Sequence, residues 1–200
     1  AAIALLATAF QPAEDIAHFS ELEALPGQMQ QILNRYMQPD KSPIQIQSQA
    51  FKHLNASPHL TLFGRGYNLS TAFEIELKLK ELSGLTTVAY SAADFLHGPV
   101  ASVKQGHPIL AVAHSGPALA DVQEKMEIAK RRGAWLAVIS DQAKLLDLAD
   151  MPLPVPAGIP EWLSPISNVL PGQFLGWALG AARGLDVDTP DGIAKVTKTW

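Results

Sequence analysis

The chain contains no cysteine. Disulfides, thiolate nucleophiles and cysteine-ligated metals are therefore excluded, a composition that suits a cytoplasmic protein. An excess of positive charge is also missing. The 15 Lys and Arg stand against 19 Asp and Glu, for a formal charge of -4 with both signs interspersed. No polybasic run is present to neutralise a row of phosphates, so nucleic acid is not an expected partner. Long hydrophobic runs are absent as well. The opening stretch Ala1-Ala2-Ile3-Ala4-Leu5-Leu6-Ala7-Thr8-Ala9-Phe10 lacks a basic n-region. It is also far short of the roughly 20 residues that cross a bilayer, so neither a signal peptide nor a membrane span is expected. There is no initiator Met, and the first residues already follow a helix-like pattern; position 1 is expected to be a cut through a longer polypeptide. What the chain does have is 48% hydrophobic residues over 200 positions, enough for one filled core with appended helices.

The order of patterns predicts the fold class. Residues 1–38 read as two or three helices interrupted at Pro12 and at Pro26-Gly27, followed by a polar linker, Pro39-Asp40-Lys41-Ser42-Pro43. Short apolar runs then alternate with helical stretches. Extended segments are expected at residues 59–64, 88–90, 109–114, 135–140 and 153–155, and helices at 70–84, 118–132 and 162–183. Apolar runs without strict alternation imply strands buried on both faces, and intervening helices supply parallel crossovers. The expectation is an α/β fold, a doubly wound parallel sheet in three flavodoxin-like layers preceded by N-terminal linker helices. In such sheets ligands sit beyond the carboxyl ends of the strands. The expected organisation is a helical linker over residues 1–45, an α/β domain over 46–184 and a C-terminal tail over 185–200.

Candidate site residues fall in four places. On the 70–84 helix, Glu74, Lys78 and Glu81 are spaced by four and three and share one stripe. Ile75 and Leu82 flank it on one side, Phe73 and Leu77 on the other. One lysine cannot neutralise both carboxylates fully, and a half-buried spare carboxylate meets the condition for a general base near neutral pH. A solvated face of ordinary Glu–Lys pairs fits the same spacing, as the Glu76/Lys80 stripe shows. His97, followed by Gly98-Pro99, is presented from a sharp turn, which suits either a proton shuttle or a surface capping histidine. Gly64-Arg65-Gly66 fits a phosphate-cradling turn or a plain tight turn. His114-Ser115-Gly116-Pro117 offers a hydroxyl near a helix start, with Pro117 as an ordinary first helical residue. The tail reads either as a frayed end or as an apolar anchor, Ile193-Ala194, that tucks Lys195 into a closed site where burial would make its amine nucleophilic. His18, His53, His59, His107 and His114 show no ligand spacing, and no metal site is expected.

Taken in order, Gly64-Arg65-Gly66, Leu77-Lys78-Leu79-Lys80-Glu81, Ala89-Tyr90 through His97-Gly98-Pro99, and Asp186-Val187-Asp188-x-Pro190 with Ala194-Lys195 resemble a known family. They look like the second sugar-isomerase (SIS) lobe of the isomerase region of glucosamine-6-phosphate synthase and of the related SIS-type glucosamine-6-phosphate deaminases. The resemblance covers roughly residues 50–200. It implies that Glu81 moves a proton between C1 and C2 of an open-chain sugar and that His97 assists ring opening in the partner subunit's site of a homodimer. By the same resemblance Lys195 forms a Schiff base with the C2 ketone or holds the open chain. Lys78 and Glu74 then orient or tune the base, with Gly64, Arg65 and Ala194 on the substrate. No cofactor is implied. The implied substrate is a phosphosugar, glucosamine 6-phosphate going to fructose 6-phosphate and ammonia, with two alternatives: the isomerase part of a glutamine-dependent aminotransferase, or a non-catalytic phosphosugar-binding regulator. The family's hydroxyl-rich phosphate loop belongs to a first SIS lobe outside this chain. Ile75-Glu76, Asp94, Leu96 and Asp191-Gly192 depart from the synthase pattern and bear on substrate choice.

Overall fold

Strand β3 (Pro108–Ala113) is buried at every position, and its side chains divide by parity between two hydrophobic clusters. Leu110 and Val112 enter one; Ile109, Ala111 and Ala113 enter the other. β4 (Trp135–Ser140) divides in the same way, with Ala137 and Ile139 against Leu136 and Val138. This is the period-2 geometry of a strand covered on both faces, and it explains the continuous apolar runs of the sequence. With β1 (His59–Gly64), β2 (Thr86–Ser91) and β5 (Met151–Pro154), these strands form a five-stranded sheet of order β2-β1-β3-β4-β5. Every pairing is parallel, with Phe63 opposite both Tyr90 and Ala111, and Val112 opposite Ile139. The structure is a computed structural model that describes Ala4 and residues 17–193.

Helices α1 (Ala17–Tyr36), α2 (Gln49–Ala56), α3 (Asn68–Ser83) and α6 (Ser164–Ala182) share the larger cluster through Ile32, Phe51, Ile75, Leu79 and Leu175. Helix α4 (Leu119–Arg131) covers the other face through Val122 and Met126. A single turn, α5 (Ala143–Leu146), joins β4 to β5. The expected three-layer, doubly wound α/β arrangement is therefore present, and the chain order reverses between β1 and β3.

Three local features differ from the sequence reading. Pro26-Gly27 does not interrupt α1, which runs on to Tyr36. The lost backbone donor of Pro26 is outweighed by packing on both sides of it: Leu25 meets Ile159 and Leu163, while Ile32 and Tyr36 enter the main core. Helix α2 was not anticipated. Its signal is Ser48, whose side chain accepts a hydrogen bond from the Phe51 amide as an N-cap. Pro117 stands two residues ahead of α4 rather than at its first position.

Helices α3 and α6 approach closely because α6 presents glycine at every fourth residue. A Cβ on Gly172 would lie 2.3 Å from Ile75 Cγ1, and one on Gly180 would lie 2.3 Å from the Leu82 carbonyl oxygen. This seam orients α3, the helix that carries the candidate carboxylates.

Candidate functional site

The α3 residues occupy two environments. Ala72, Ile75 and Leu79 are fully buried beneath the helix, while Phe73 and Leu77 are about half exposed at 49% and 46% and crown its outer face. Glu74, Lys78 and Glu81 run along the border next to α6, with side chains 43%, 29% and 25% exposed. Lys78 Nζ donates to Glu81 Oε2 at 2.6 Å and stands 3.8 Å from Glu74 Oε1. The hydrogen bond to Glu81, reinforced by both negative charges against partial burial, raises the Lys78 pKa above its ordinary value. The ammonium is thus fixed as a cation between the two carboxylates. On the other side of the Phe73/Leu77 ridge, Lys80 pairs with Glu76. The two stripes differ in charge, since the first holds two carboxylates against one lysine and the second one against one; only the first borders the α6 seam and the C-terminal segment.

That segment leaves α6 through Gly184 in a left-handed conformation. Val187 Cγ1 comes within 2.7 Å of the Cβ position of Gly180, which itself abuts Leu82, the neighbour of Glu81. Asp186 then closes a turn by accepting the amides of Asp188 and Thr189 at 3.0 and 3.1 Å. The bond from the Thr189 hydroxyl and these amides hold its carboxyl below the ordinary carboxylate range. The tail is thereby led past the C-terminal end of α3. Ala194 and Lys195 lie outside the described residues.

His97 is elsewhere. It ends a 3-10 turn (Phe95–His97) beyond β2, anchored by buried Phe95, which packs on Phe63 with ring centroids 5.1 Å apart. The imidazole is exposed and borders a cleft of about 670 Å³ at the carboxyl edge of the sheet, with Arg65, Gly66, Ala118 and Asp121. Helix α3 starts at this edge and runs away from it. Thirteen residues separate Asn68 from Glu81, a rise of ~20 Å, so Glu81 stands near the opposite edge. Within one chain the structure groups Glu74, Lys78 and Glu81 and leaves His97 apart from them.

Gly64 and Arg65 are accounted for locally. A Cβ on Gly64 would meet the Asn68 carbonyl oxygen at 2.3 Å, so glycine is required by the tight turn into α3. Arg65 donates to Ser91 Oγ at 3.2 Å and pairs with Asp121 Oδ2 at 3.3 Å. The Ser115 hydroxyl is likewise committed: it donates to Asp141 Oδ2 at 2.5 Å and accepts from Gln142, tying β3 to β4.

The remaining histidines make structural contacts. His53 bonds the Gly106 carbonyl and stacks on Trp135, His59 pairs with His107, and His114 bonds the Ile159 carbonyl at 2.7 Å. Among the described residues no group of three or more His, Asp or Glu is placed to hold a metal ion, and no helix is long and apolar enough to cross a membrane. One carboxylate was missed by the sequence reading. Glu161, in the loop before α6, lies against Gly66 and Gly116 at the carboxyl edge. Nothing local marks it, because its neighbours there come from segments about 45 and 95 residues earlier.

Comparison with known proteins extends this picture. Glutamine–fructose-6-phosphate aminotransferase (isomerizing) of Thermococcus kodakarensis is 39% identical over 132 residues, 66% of this chain and 22% of that protein. The protein of the same name from Gloeobacter violaceus is 34% identical over 179 residues, 87% of this chain and 28% of its own length. The chain thus spans about a quarter of the length of these relatives. Among solved structures, the C-terminal domain of glucosamine-fructose-6-phosphate aminotransferase from Francisella tularensis superposes with a TM-score of 0.77 at 26% identity, covering 90% of this chain and 49% of that one. Glucosamine-6-phosphate deaminase from Thermotoga maritima shares the fold, with a TM-score of 0.59 at 22% identity over 90% of this chain and 49% of its own. The SIS domain profile matches residues 53–173, which is more than half of the sequence and spans β1 through the middle of α6, and the chain belongs to the SIS domain family.

Proposed function

We propose that the chain contributes the proton-transfer half of a hexose 6-phosphate isomerase site, as part of a protein of the glutamine–fructose-6-phosphate aminotransferase type. The observation that supports this reading best is the Glu74–Lys78–Glu81 ladder on the open side of α3, in a chain whose named relatives are such aminotransferases. Those names favour the aminotransferase over the ammonia-releasing deaminase.

In this reading the phosphosugar reacts in its open-chain form. Glu81 takes a proton from C1 and returns it to C2, through an enediol-type intermediate. Lys78, kept cationic by its two carboxylate neighbours, orients Glu81 and offsets the developing negative charge. Glu74 holds Lys78 from the other side. Lys195, carried by a tail that is led past Leu82, forms a Schiff base with the C2 ketone or holds the open chain, and Ala194 lines the sugar. His97 opens the ring in the partner subunit's site of a homodimer, a role that agrees with its distance from Glu81 within one chain. The phosphate is anchored by a first SIS lobe outside this chain. Such a reaction requires a base, an acid and charge stabilisation, and no redox step.

The test uses the full-length protein. Glu81→Gln and His97→Ala subunits, each inactive alone in fructose 6-phosphate turnover, are mixed and re-dimerised. Recovery toward about a quarter of wild-type activity, the share expected if one site per mixed dimer is intact and half the dimers are mixed, supports the shared site. No recovery in a verified heterodimer refutes the role of His97, and turnover unchanged by Glu81→Gln refutes the role of Glu81. The fold alone also occurs in the sugar isomerase domain of an RpiR transcription factor from Sphaerobacter thermophilus. A purely sensing module would bind the phosphosugar with no turnover in the wild-type protein.

A further inference from the structure

In a sheet of order β2-β1-β3-β4-β5 the chain reverses direction between β1 and β3, and ligands of such sheets sit in the crevice at that point. Here the crevice is bounded by the turn through Gly66 after β1 and the turn through Gly116 after β3. Both glycines have positive φ, 57° and 152°. Between these two glycines the crevice is not left open, whereas the cleft that His97 borders lies beside it, against the start of α4. A Cβ on Gly116 would stand 2.7 Å from Glu161 Cδ and 2.8 Å from its Oε2, and a Cβ on Gly66 would stand 3.1 Å from Oε1. The Glu161 carboxylate therefore occupies the space that a side chain at either glycine would need, spanning the two turns.

Its backbone is clamped on both sides by buried groups. The His114 imidazole bonds the Ile159 carbonyl at 2.7 Å, and the Ser164 hydroxyl donates to the Glu161 carbonyl at 2.7 Å. Ser164 Oγ in turn accepts from Asn68 at 2.7 Å, and Asn68 is held by Asn168 and Thr71. Yet the Glu161 carboxylate itself makes no hydrogen bond or ion pair among the described residues, while the cations nearby are already compensated. Arg65 pairs with Asp121, and Lys125 pairs with Asp121 and Glu124. The crevice thus holds a fixed, uncompensated negative charge on a rigid support. A phosphate dianion entering it would meet both the volume and the charge of that group, at a separation where like charges repel strongly.

We infer that Glu161 excludes phosphate from the switch-point crevice of this lobe, so that the phosphosugar is gripped outside it. The inference rests on the proposed function only for the choice of ligand. It assigns Glu161 as a specificity-determining residue by exclusion and leaves the proposed roles of Glu81, His97 and Lys195 unchanged.

The test is a titration of the isotope-labelled full chain with inorganic phosphate, following the amide signals of Gly66 and Gly116. Wild type and Glu161→Asp, which keeps the charge, should show no saturable shift up to ~10 mM phosphate. Glu161→Ala should show saturable shifts at both glycines with a Kd of ~1 mM, at least ten-fold tighter than wild type. Glu161→Gln keeps the volume and removes the charge; it should bind detectably but more weakly than the alanine variant, and it decides the matter if Glu161→Ala does not fold. Saturable shifts at both glycines in wild type overturn the inference, as does a folded Glu161→Gln that shows none, or binding by Glu161→Asp equal to that of Glu161→Ala. Because the readout is binding at this crevice and not turnover, failure here leaves the role of Glu81 standing, and loss of the Glu81 role leaves this result interpretable.

Discussion

Replacing single glycines by alanine along α6 gives a graded test of the seam that orients α3. In an exposed helix interior the exchange is favourable by about 1 kcal/mol, because alanine has less backbone entropy to lose. At Gly180 a new Cβ would stand 2.3 Å from the Leu82 carbonyl oxygen and 2.7 Å from Val187 Cγ1. An unstrained contact needs about 3.5 Å, so the helices must separate by about 1 Å, which forfeits part of the dispersion along the seam. Overpacking of this kind costs 1–3 kcal/mol and at times more, and a backbone obstacle cannot rotate away. Set against the propensity gain, Gly180→Ala should be less stable by ~2 kcal/mol, lowering Tm by roughly 4–8 °C for a chain of this size. At Gly176 the nearest atoms are Leu82 Cδ1 at 3.4 Å and the Lys78 carbonyl at 3.5 Å, and at Gly27, an exposed position in α1 that serves as a control away from the seam, nothing lies within 4 Å. Both alanine variants there should match wild type or exceed it, by up to ~1 kcal/mol. Gly172→Ala, blocked by the Ile75 side chain at 2.3 Å, should fall between Gly176→Ala and Gly180→Ala. Scanning calorimetry of the four variants provides the ranking. If Gly180→Ala is as stable as Gly176→Ala, the close-approach account of the α3/α6 seam is wrong.

Two further outcomes follow from buried polar groups. Asn68 accepts from Asn168 and Thr71 and donates to Ser164, all within the core. Asn68→Ala should therefore cost ~2–4 kcal/mol by leaving these partners unsatisfied, measurable by urea unfolding, whereas a loss under ~0.5 kcal/mol would mean that the network contributes nothing net. His107, partly buried against Thr61 and beside His59, has its pKa lowered, first by desolvation and then by the His59 charge. Its unfolded pKa is about 6.5 and its folded pKa lies lower, so the unfolded chain binds the proton first. Stability from this group should be present above pH ~6.5 and decline as pH falls through the folded pKa, with a shallower decline in His107→Gln. An identical pH profile for wild type and His107→Gln would refute the linkage.

The fold was legible where burial is two-sided. Ile109 to Ala113 and Leu136 to Ile139 read as continuous apolar runs, and Leu60 to Phe63 as one broken only by Thr61, because the sheet is covered above and below. Legibility failed where tertiary contacts override local rules. Pro26 stands inside α1 because Leu25, Ile32 and Tyr36 are packed from both sides of it, and no local pattern encodes those partners. The α3 stripe was legible as a helical spacing, and the contact of Lys78 with both carboxylates follows directly from it. Its half-burial was only partly legible: Phe73 and Leu77, read as flanking cover, prove to be an exposed ridge. Glu161 was not legible at all. A lone carboxylate between Pro160 and Trp162 acquires its position from Gly66 and Gly116, which only the sheet topology brings together.

The central claim is that Glu81 carries the sugar proton. Its most direct measurement is the rate of solvent-deuterium incorporation into C1 of fructose 6-phosphate by the full-length protein, comparing wild type with Glu81→Gln at saturating sugar. The account predicts a fall of ~10²–10⁴-fold, with the KM for fructose 6-phosphate little changed. An exchange rate within about ten-fold of wild type would contradict it, since the proton would then be moved by another group.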